Sequence, residues 1–62
     1  MDKTELYEEL LAISQEMGEA FVYESRGKET LTLLFELVRE HRIGLGWAGY
    51  QGDTMRQIVI IH

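Results

Sequence analysis

A short segment of strand-forming residues separates two amphipathic patterns, and it fixes the order of elements that this chain can form. Phe21, Val22 and Tyr23 are aromatic or β-branched, which favours a strand from Ala20 to Ser25. Apolar residues recur at helical spacing on both sides of this strand. Because the chain has only 62 residues, it has room for one small domain built around this order.

The pattern before the strand predicts an amphipathic helix from Thr4 to Met17. Four apolar residues share one face of this helix at spacings of three and four, namely Leu6, Leu10, Ile13 and Met17. Asp2 is placed to cap the helix N-terminus, and Gly18 is placed to end the helix in a left-handed conformation. Both ends of the first helix therefore carry a sequence signal.

The residues after the strand predict a turn at Arg26-Gly27-Lys28 and a second helix from Glu29 to Arg42, with Gly44 marking its end. This helix has a broader apolar stripe than the first one. The stripe consists of Leu31, Leu34, Phe35 and Val38, widened by Leu33 and Leu37. A face this broad usually packs against a sheet and sometimes leaves part of itself exposed for a partner.

The C-terminal third predicts a β-hairpin. Its strands are Leu45–Tyr50 and Met55–Ile61, and Gln51-Gly52-Asp53-Thr54 has the composition of a hairpin connection. The order α-β-α-β-β predicts an α+β domain covering residues 1–62, with two helices packed on a small antiparallel sheet.

Charge and composition exclude several classes of function. Eleven acidic residues against six basic ones give a net charge of -5, which opposes direct binding to nucleic acid. The chain has no cysteine and only two histidines, too few for a structural zinc site. No apolar run approaches the roughly 20 residues of a membrane span, and the N-terminus lacks the layout of a secretory signal. We therefore expect a cytoplasmic protein that does not bind membranes.

No arrangement of residues indicates catalysis. The run from Gly44 to Gly49 matches the pattern G-x-G-x-x-G, but a helix precedes it and a strand follows, which is the reverse of a dinucleotide site. We interpret these glycines instead as permitting a bulge or a close backbone approach near Trp47. Ser14 and Ser25 lack the surroundings of an activated nucleophile. We expect no catalytic residue, no cofactor and no metal.

The carboxylate that stands apart from the others is Glu24. Most acidic residues of the first half fall on helix patterns, where charge is normally just the solvated face. Glu24 ends the predicted strand beside Ser25 and a turn, where a carboxylate and a hydroxyl present acceptors much as a phosphate and sugar edge does. An acidic edge beside an apolar groove is one way for a protein to occupy a DNA-binding site.

The element order and the segment Phe21–Ser25 resemble the phage-encoded uracil-DNA glycosylase inhibitors, which are small acidic proteins that mimic DNA. In the best-known member, a first helix leads into a strand ending in Gln-Glu-Ser, followed by a second helix and an antiparallel sheet. Tyr23-Glu24-Ser25 falls on that tripeptide. This chain differs in continuing with Arg26-Gly27-Lys28 instead of large apolar residues and a proline, and in having three predicted strands where the family has five.

The resemblance implies a non-enzymatic inhibitor of uracil-DNA glycosylase. The Glu-Ser edge would meet the DNA-phosphate-binding loops of the enzyme, with Glu29 as a second acidic contact. An apolar pocket between the second helix and the sheet would receive the leucine that the enzyme normally pushes into the DNA minor groove. The expected lining comes from Leu31, Leu34, Phe35 and Val38 of the helix and from some of Leu45, Trp47, Ile58 and Ile60. The expected partner-binding residues are Tyr23, Glu24, Ser25, Glu29, Leu31, Leu34, Phe35, Val38, Trp47 and Ile58.

Two other hypotheses fit the same sequence. In the first, the chain is a small homo-oligomeric interaction module whose Leu31–Val38 stripe packs against a second copy. Three strands leave a sheet edge or face uncovered, and a homodimer is one way to cover it. In the second, the acidic surface inhibits another nucleic-acid enzyme, such as a defence nuclease.

Overall fold

The computed structural model describes residues 1–62 and has the element order α-β-α-β-β of an α+β domain. The helices are α1 (Lys3–Met17) and α2 (Lys28–Arg39), and the strands are β1 (Ala20–Tyr23), β2 (Ile43–Gln51) and β3 (Thr54–Ile61). A short 3-10 turn, Glu24–Arg26, joins β1 to α2. The predicted fold class is confirmed.

Both predicted ends of α1 are present. The Asp2 carboxylate accepts a hydrogen bond from the Glu5 amide at 2.9 Å, so it caps an N–H group that has no partner within the helix. Gly18 has a φ of 87°, and its N–H donates to the Ser14 carbonyl at 2.9 Å. A left-handed residue at this position favours glycine, and it turns the chain sharply into β1.

The second helix ends earlier than the sequence predicts, at Arg39 and not at Arg42. The amide of His41 donates to the Val38 carbonyl, and the amide of Arg42 donates to the Leu37 carbonyl. These two bonds form a Schellman motif, with His41 in the left-handed position at a φ of 61°. Glycine is the usual residue at this left-handed position, but here it is a histidine. Gly44, which the sequence suggested as the end of the helix, lies inside β2.

The three strands form an antiparallel sheet in the order β1-β3-β2, so the last strand of the chain lies in the middle. Ala20 pairs with Val59 and Val22 pairs with Gln57 across β1 and β3. The hairpin pairs Gln51 with Thr54, which leaves a two-residue loop where the sequence predicts a four-residue connection. Both β1 and β2 are edge strands.

A β-bulge interrupts the hairpin at the glycine-rich run. Leu45 pairs with Val59 and Ala48 pairs with Gln57, so Gly46 and Trp47 together lie opposite Ile58. A β-carbon on Gly46 would lie 3.3 Å from Cγ2 of Ile58, so the side chain of Ile58 packs closely over this glycine. The predicted bulge near Trp47 is present, and the group that approaches Gly46 most closely is the side chain of Ile58.

Both helices lie on the same face of the sheet, and one core lies between the two layers. Its members come from every helix and strand and are almost fully buried: Leu6, Leu10, Ala20, Val22, Leu34, Leu37, Ile43 and Val59. Burial of a leucine of this kind stabilises the fold by about 1.5–3 kcal/mol. No helix covers the other side of the sheet, which we call the open face. It is defined by Phe21, Tyr23, Trp47, Arg56, Ile58 and Ile60.

Candidate partner-binding site

The 3-10 turn presents Glu24 and Ser25 to solvent at the end of β1. The sequence predicts that the strand runs through Ser25, but the structure ends it at Tyr23, the last residue paired with β3. From there the amide of Gly27 donates to the Glu24 carbonyl at 3.1 Å, which closes the turn. Gly27 has a φ of 100° and a ψ of 175°, a conformation open in practice only to glycine, and it starts α2 directly after the turn.

The cation in this turn is held away from Glu24. Arg26 donates from Nη1 to Oε2 of Glu9 on α1 at 2.8 Å, and this pair is partly buried. The ion pair joins the turn to the first helix and neutralises Arg26. The carboxylate of Glu24, by contrast, has no basic partner within ion-pair distance.

An open apolar groove of about 150 Å³ begins at Glu24 and runs between α2 and the sheet. Phe35, on the helix side, is 54% exposed, and Leu45, on the strand side, is 38% exposed. Both side chains therefore keep apolar surface that the core does not use. The groove is lined by Glu24, Leu31, Leu34, Phe35, Leu45, Met55 and Gln57.

A shallower polar pocket adjoins the groove at the hairpin end of the molecule. It is lined by Glu24, Ser25, Asp53, Thr54 and Met55. Glu24 and Met55 line both spaces, so the polar pocket and the apolar groove are neighbours. The hairpin loop thus brings a second carboxylate, that of Asp53, to the edge formed by Glu24 and Ser25.

The structure brings together half of the predicted partner-binding residues. Glu24, Leu31, Leu34 and Phe35 line the groove, and Ser25 lines the adjoining pocket. Glu29 is exposed in the first turn of α2 but lines neither space. The second carboxylate beside Glu24 is that of Asp53, where Glu29 was expected. Val38 packs against the core.

The remaining predicted residues lie on the open face, away from the groove. Tyr23 contacts Phe21 there, with ring centroids 5.5 Å apart in an edge-to-face arrangement. Ile58 pairs with Phe21, and Trp47 lies in the bulge opposite Ile58. Successive residues of a strand point to opposite faces, and Gln57 faces the helices with Val22, so Ile58 must face away from them.

Met55, Gln57 and Asp53 line the site but were not among the residues predicted from the sequence. Of the four hairpin residues expected to supply part of the lining, Leu45 lines the groove, whereas Trp47, Ile58 and Ile60 do not. The alternation along β3 places Met55 and Gln57 on the covered face instead. Gln57 is held there by the bulge, because its Nε2 donates to the Gly46 carbonyl at 3.0 Å and to the Ile58 carbonyl at 2.9 Å. Gln57 and Met55 lie two and four residues before Val59, so they share its face of β3, whereas Asp53 lies in the hairpin loop.

The side chains at this site can form hydrogen bonds and apolar contacts with a partner. No group of three or more His, Asp or Glu side chains is arranged to hold a metal ion. The two histidines, His41 and His62, line neither the groove nor the polar pocket. No helix is both long enough and apolar enough to cross a membrane. What the arrangement presents is two carboxylates and two hydroxyls beside an apolar slot open to a partner's side chain.

Comparison with known proteins gives no relative from which to transfer a function. The chain matches no family model, no curated protein and no solved structure. The resemblance to uracil-DNA glycosylase inhibitors therefore rests on the sequence pattern alone, and the chain is placed in no family.

Proposed function

We propose that this protein is a non-enzymatic inhibitor that occupies the DNA-binding site of uracil-DNA glycosylase. The observation that carries the proposal is the position of Glu24, which borders both the apolar groove beneath α2 and the polar pocket that contains Ser25 and Asp53. The resemblance to the glycosylase inhibitors implies this pairing of an acidic edge, for the phosphate-binding loops, with a slot for an apolar side chain.

Electrostatics supports the same role. The net charge of -5 favours association with the cationic DNA-binding surface of an enzyme, and such charge complementarity mainly raises the association rate and the specificity. Arg26 next to the edge is neutralised by Glu9, so it subtracts little from the acidic character of the turn. The groove supplies apolar contact area of the kind that makes a complex long-lived.

The direct test measures uracil excision by a purified glycosylase with and without a stoichiometric amount of this protein. Size-exclusion chromatography of the mixture accompanies the assay. We expect inhibition together with a co-eluting complex. Full excision with no complex would remove this target.

Two variants locate the contact. Glu24→Gln removes the charge at the edge, and we expect at least tenfold weaker inhibition because hydrogen bonds to a charged group contribute about 1.5–3 kcal/mol. Glu16→Gln makes the same charge change on the exposed side of α1 and should inhibit like the wild type. Phe35→Ser tests the groove, with the exposed Met17→Ser as its control. Unchanged inhibition by both Glu24→Gln and Phe35→Ser would contradict this binding mode.

Inhibition of another nucleic-acid enzyme, such as a defence nuclease, would use the same acidic edge. The two targets are separated by running the excision assay and a DNA-cleavage assay with the same variants. Inhibition of the nuclease alone, weakened by Glu24→Gln, would favour the second target. The self-association hypothesis predicts instead a dimer that Phe35→Ser disrupts and Glu24→Gln does not.

A further inference from the structure

Charge is distributed very unevenly between the strands and the rest of the chain. Arg56 is the single charged residue in β1, β2 and β3. All eleven acidic residues lie outside the strands. The open face therefore presents one cation in surroundings that are otherwise uncharged.

The side chain of Arg56 is held between two aromatic rings. Its Cζ lies 5.2 Å from the centroid of Phe21 and 5.6 Å from the centroid of Trp47. Stacking on aromatic rings is favourable for a guanidinium group and restricts its rotation. The side chain is thus pre-organised, which lowers the entropy cost of any hydrogen bond it makes to a ligand.

This guanidinium has donors without an acceptor. Its Nε is buried and makes no hydrogen bond. The ion pairs of the chain join Lys3 to Glu40 and Arg26 to Glu9, so no carboxylate of the protein reaches Arg56. An arginine held in this way, with its terminal nitrogens free, fits the two oxygens of a carboxylate or a phosphate.

The surroundings favour a carboxylate on an apolar segment. A nucleic-acid backbone brings many negative charges close to a protein of net charge -5, whereas a side-chain carboxylate brings one. Trp47 is 59% exposed and Ile60 is 50% exposed on the same face, and both offer contact to apolar neighbours of that carboxylate. If two copies met through this face, their Arg56 side chains would be brought together, and no strand supplies an acidic residue to pair with them. Burying two unpaired like charges is unfavourable.

We propose that the open face is a second protein-binding surface, which receives a partner segment carrying a carboxylate between apolar side chains. Arg56 binds the carboxylate with its terminal nitrogens, and Trp47 and Ile60 pack against the apolar flanks. This surface lies across the sheet from the groove at Glu24, so the inference stands independently of the glycosylase proposal.

The test is an NMR titration of the full chain with two peptides, acetyl-Leu-Glu-Leu-amide and acetyl-Leu-Gln-Leu-amide. The Trp47 indole N–H and the Arg56 Nε–H report binding, and Trp47 is unambiguous because it is the only tryptophan. We expect the glutamate peptide to shift both signals and to bind at least tenfold more tightly than the glutamine peptide.

Variants of Arg56 separate the contribution of the planar guanidinium from the contribution of its positive charge. Arg56→Lys keeps the positive charge but loses the paired donors, and we expect at least fivefold weaker binding of the glutamate peptide. Arg39→Lys makes the same change on the exposed end of α2 and should bind normally. Glu24→Gln should also bind normally. If Arg56→Lys fails to fold, the comparison of the two peptides on the unaltered chain decides the matter.

Several outcomes would overturn the proposal. They are equal affinity for the two peptides, or no shift at Trp47 and Arg56 at 10 mM peptide, a concentration about ten times a 1 mM dissociation constant. Inorganic phosphate that shifts both signals as strongly as the glutamate peptide would assign the site to phosphorylated ligands. Shifts of the same signals with protein concentration, without peptide, would assign the face to a second copy.

Discussion

The two faces of the three-stranded sheet differ in cover and in charge. On the covered face, Leu34 and Leu37 of α2 pack with Val22 and Val59 and are almost fully buried. On the open face, Trp47 and Ile60 remain at least half exposed beside a single arginine. The same strands supply both faces, because side chains alternate along a strand. In a chain this short, two helices cover one face and leave the other for a partner or for solvent.

We expect the largest effect on stability from truncating a side chain of the covered face, compared with the same change on the open face. Leu37 is fully buried, so Leu37→Ala should lower the free energy of unfolding by about 2–5 kcal/mol. The half-exposed Ile60, changed to alanine, should cost about 1 kcal/mol or less. Urea unfolding followed by circular dichroism measures both. Comparable losses would mean that the open face is buried in solution, and the contrast between the faces would fail.

At the bulge, the side chain of Ile58 packs closely over Gly46. A methyl group on Gly46 would press on Cγ2 of Ile58, so Gly46→Ala should destabilise the fold by about 1–3 kcal/mol. Gly44→Ala is the matched control, because its methyl would meet only the imidazole of the terminal His62. The control should change stability by about 0.5 kcal/mol or less. Equal thermal midpoints for the two variants would show that the bulge tolerates a side chain.

The side-chain amide of Gln57 connects the covered face to the bulge through its hydrogen bonds. We expect these hydrogen bonds to contribute more to stability than the packing of the side chain. Gln57→Glu replaces a donor by a carboxylate that faces the carbonyl groups of Gly46 and Ile58, and we expect a loss of about 1–3 kcal/mol at pH 7. Gln51→Glu makes the same change at an exposed strand end and should be nearly neutral. Chemical denaturation of both proteins checks this. A neutral Gln57→Glu would mean that the bulge does not depend on the amide.

The smallest effect concerns the helical side, where α1 and α2 are joined by an ion pair between Lys3 and Glu40. The hydrogen bond from Lys3 holds the pKa of Glu40 below its ordinary value of 4.5, with further help from the charges of Lys3, Arg42 and Arg39. A lowered pKa stabilises the fold above the unfolded-state pKa, and this contribution disappears as the pH falls through the folded-state pKa.

The difference in urea midpoint between wild type and Glu40→Gln should therefore be present at pH 7 and vanish in acid. Glu8→Gln, which removes an exposed carboxylate of α1, is the control and should keep the urea midpoint of the wild type at pH 7. A difference between wild type and Glu40→Gln that persists to pH 2 would show that Glu40 acts through packing and not through its charge.

The groove was predictable on its helix side and much less so on its strand side. Leu31, Leu34 and Phe35 follow from the apolar stripe of α2, because helical periodicity is a local property. Met55 and Gln57 depend on which face of β3 turns toward the helices, and that is set by pairing with β1, which lies more than thirty residues earlier. The position of Asp53 beside Glu24 likewise depends on where the hairpin folds back.

The sequence by itself determined the two helices, the caps of the first, the hairpin and the α+β order, because periodicity, capping and turn residues act over a few neighbours. Only the tertiary structure decided that β3 lies between β1 and β2, and that Trp47 and Ile58 face away from the helices. Only the fold places Arg56 between Phe21 and Trp47. These features depend on contacts between residues distant in sequence, whose register is fixed when the apolar faces pack together.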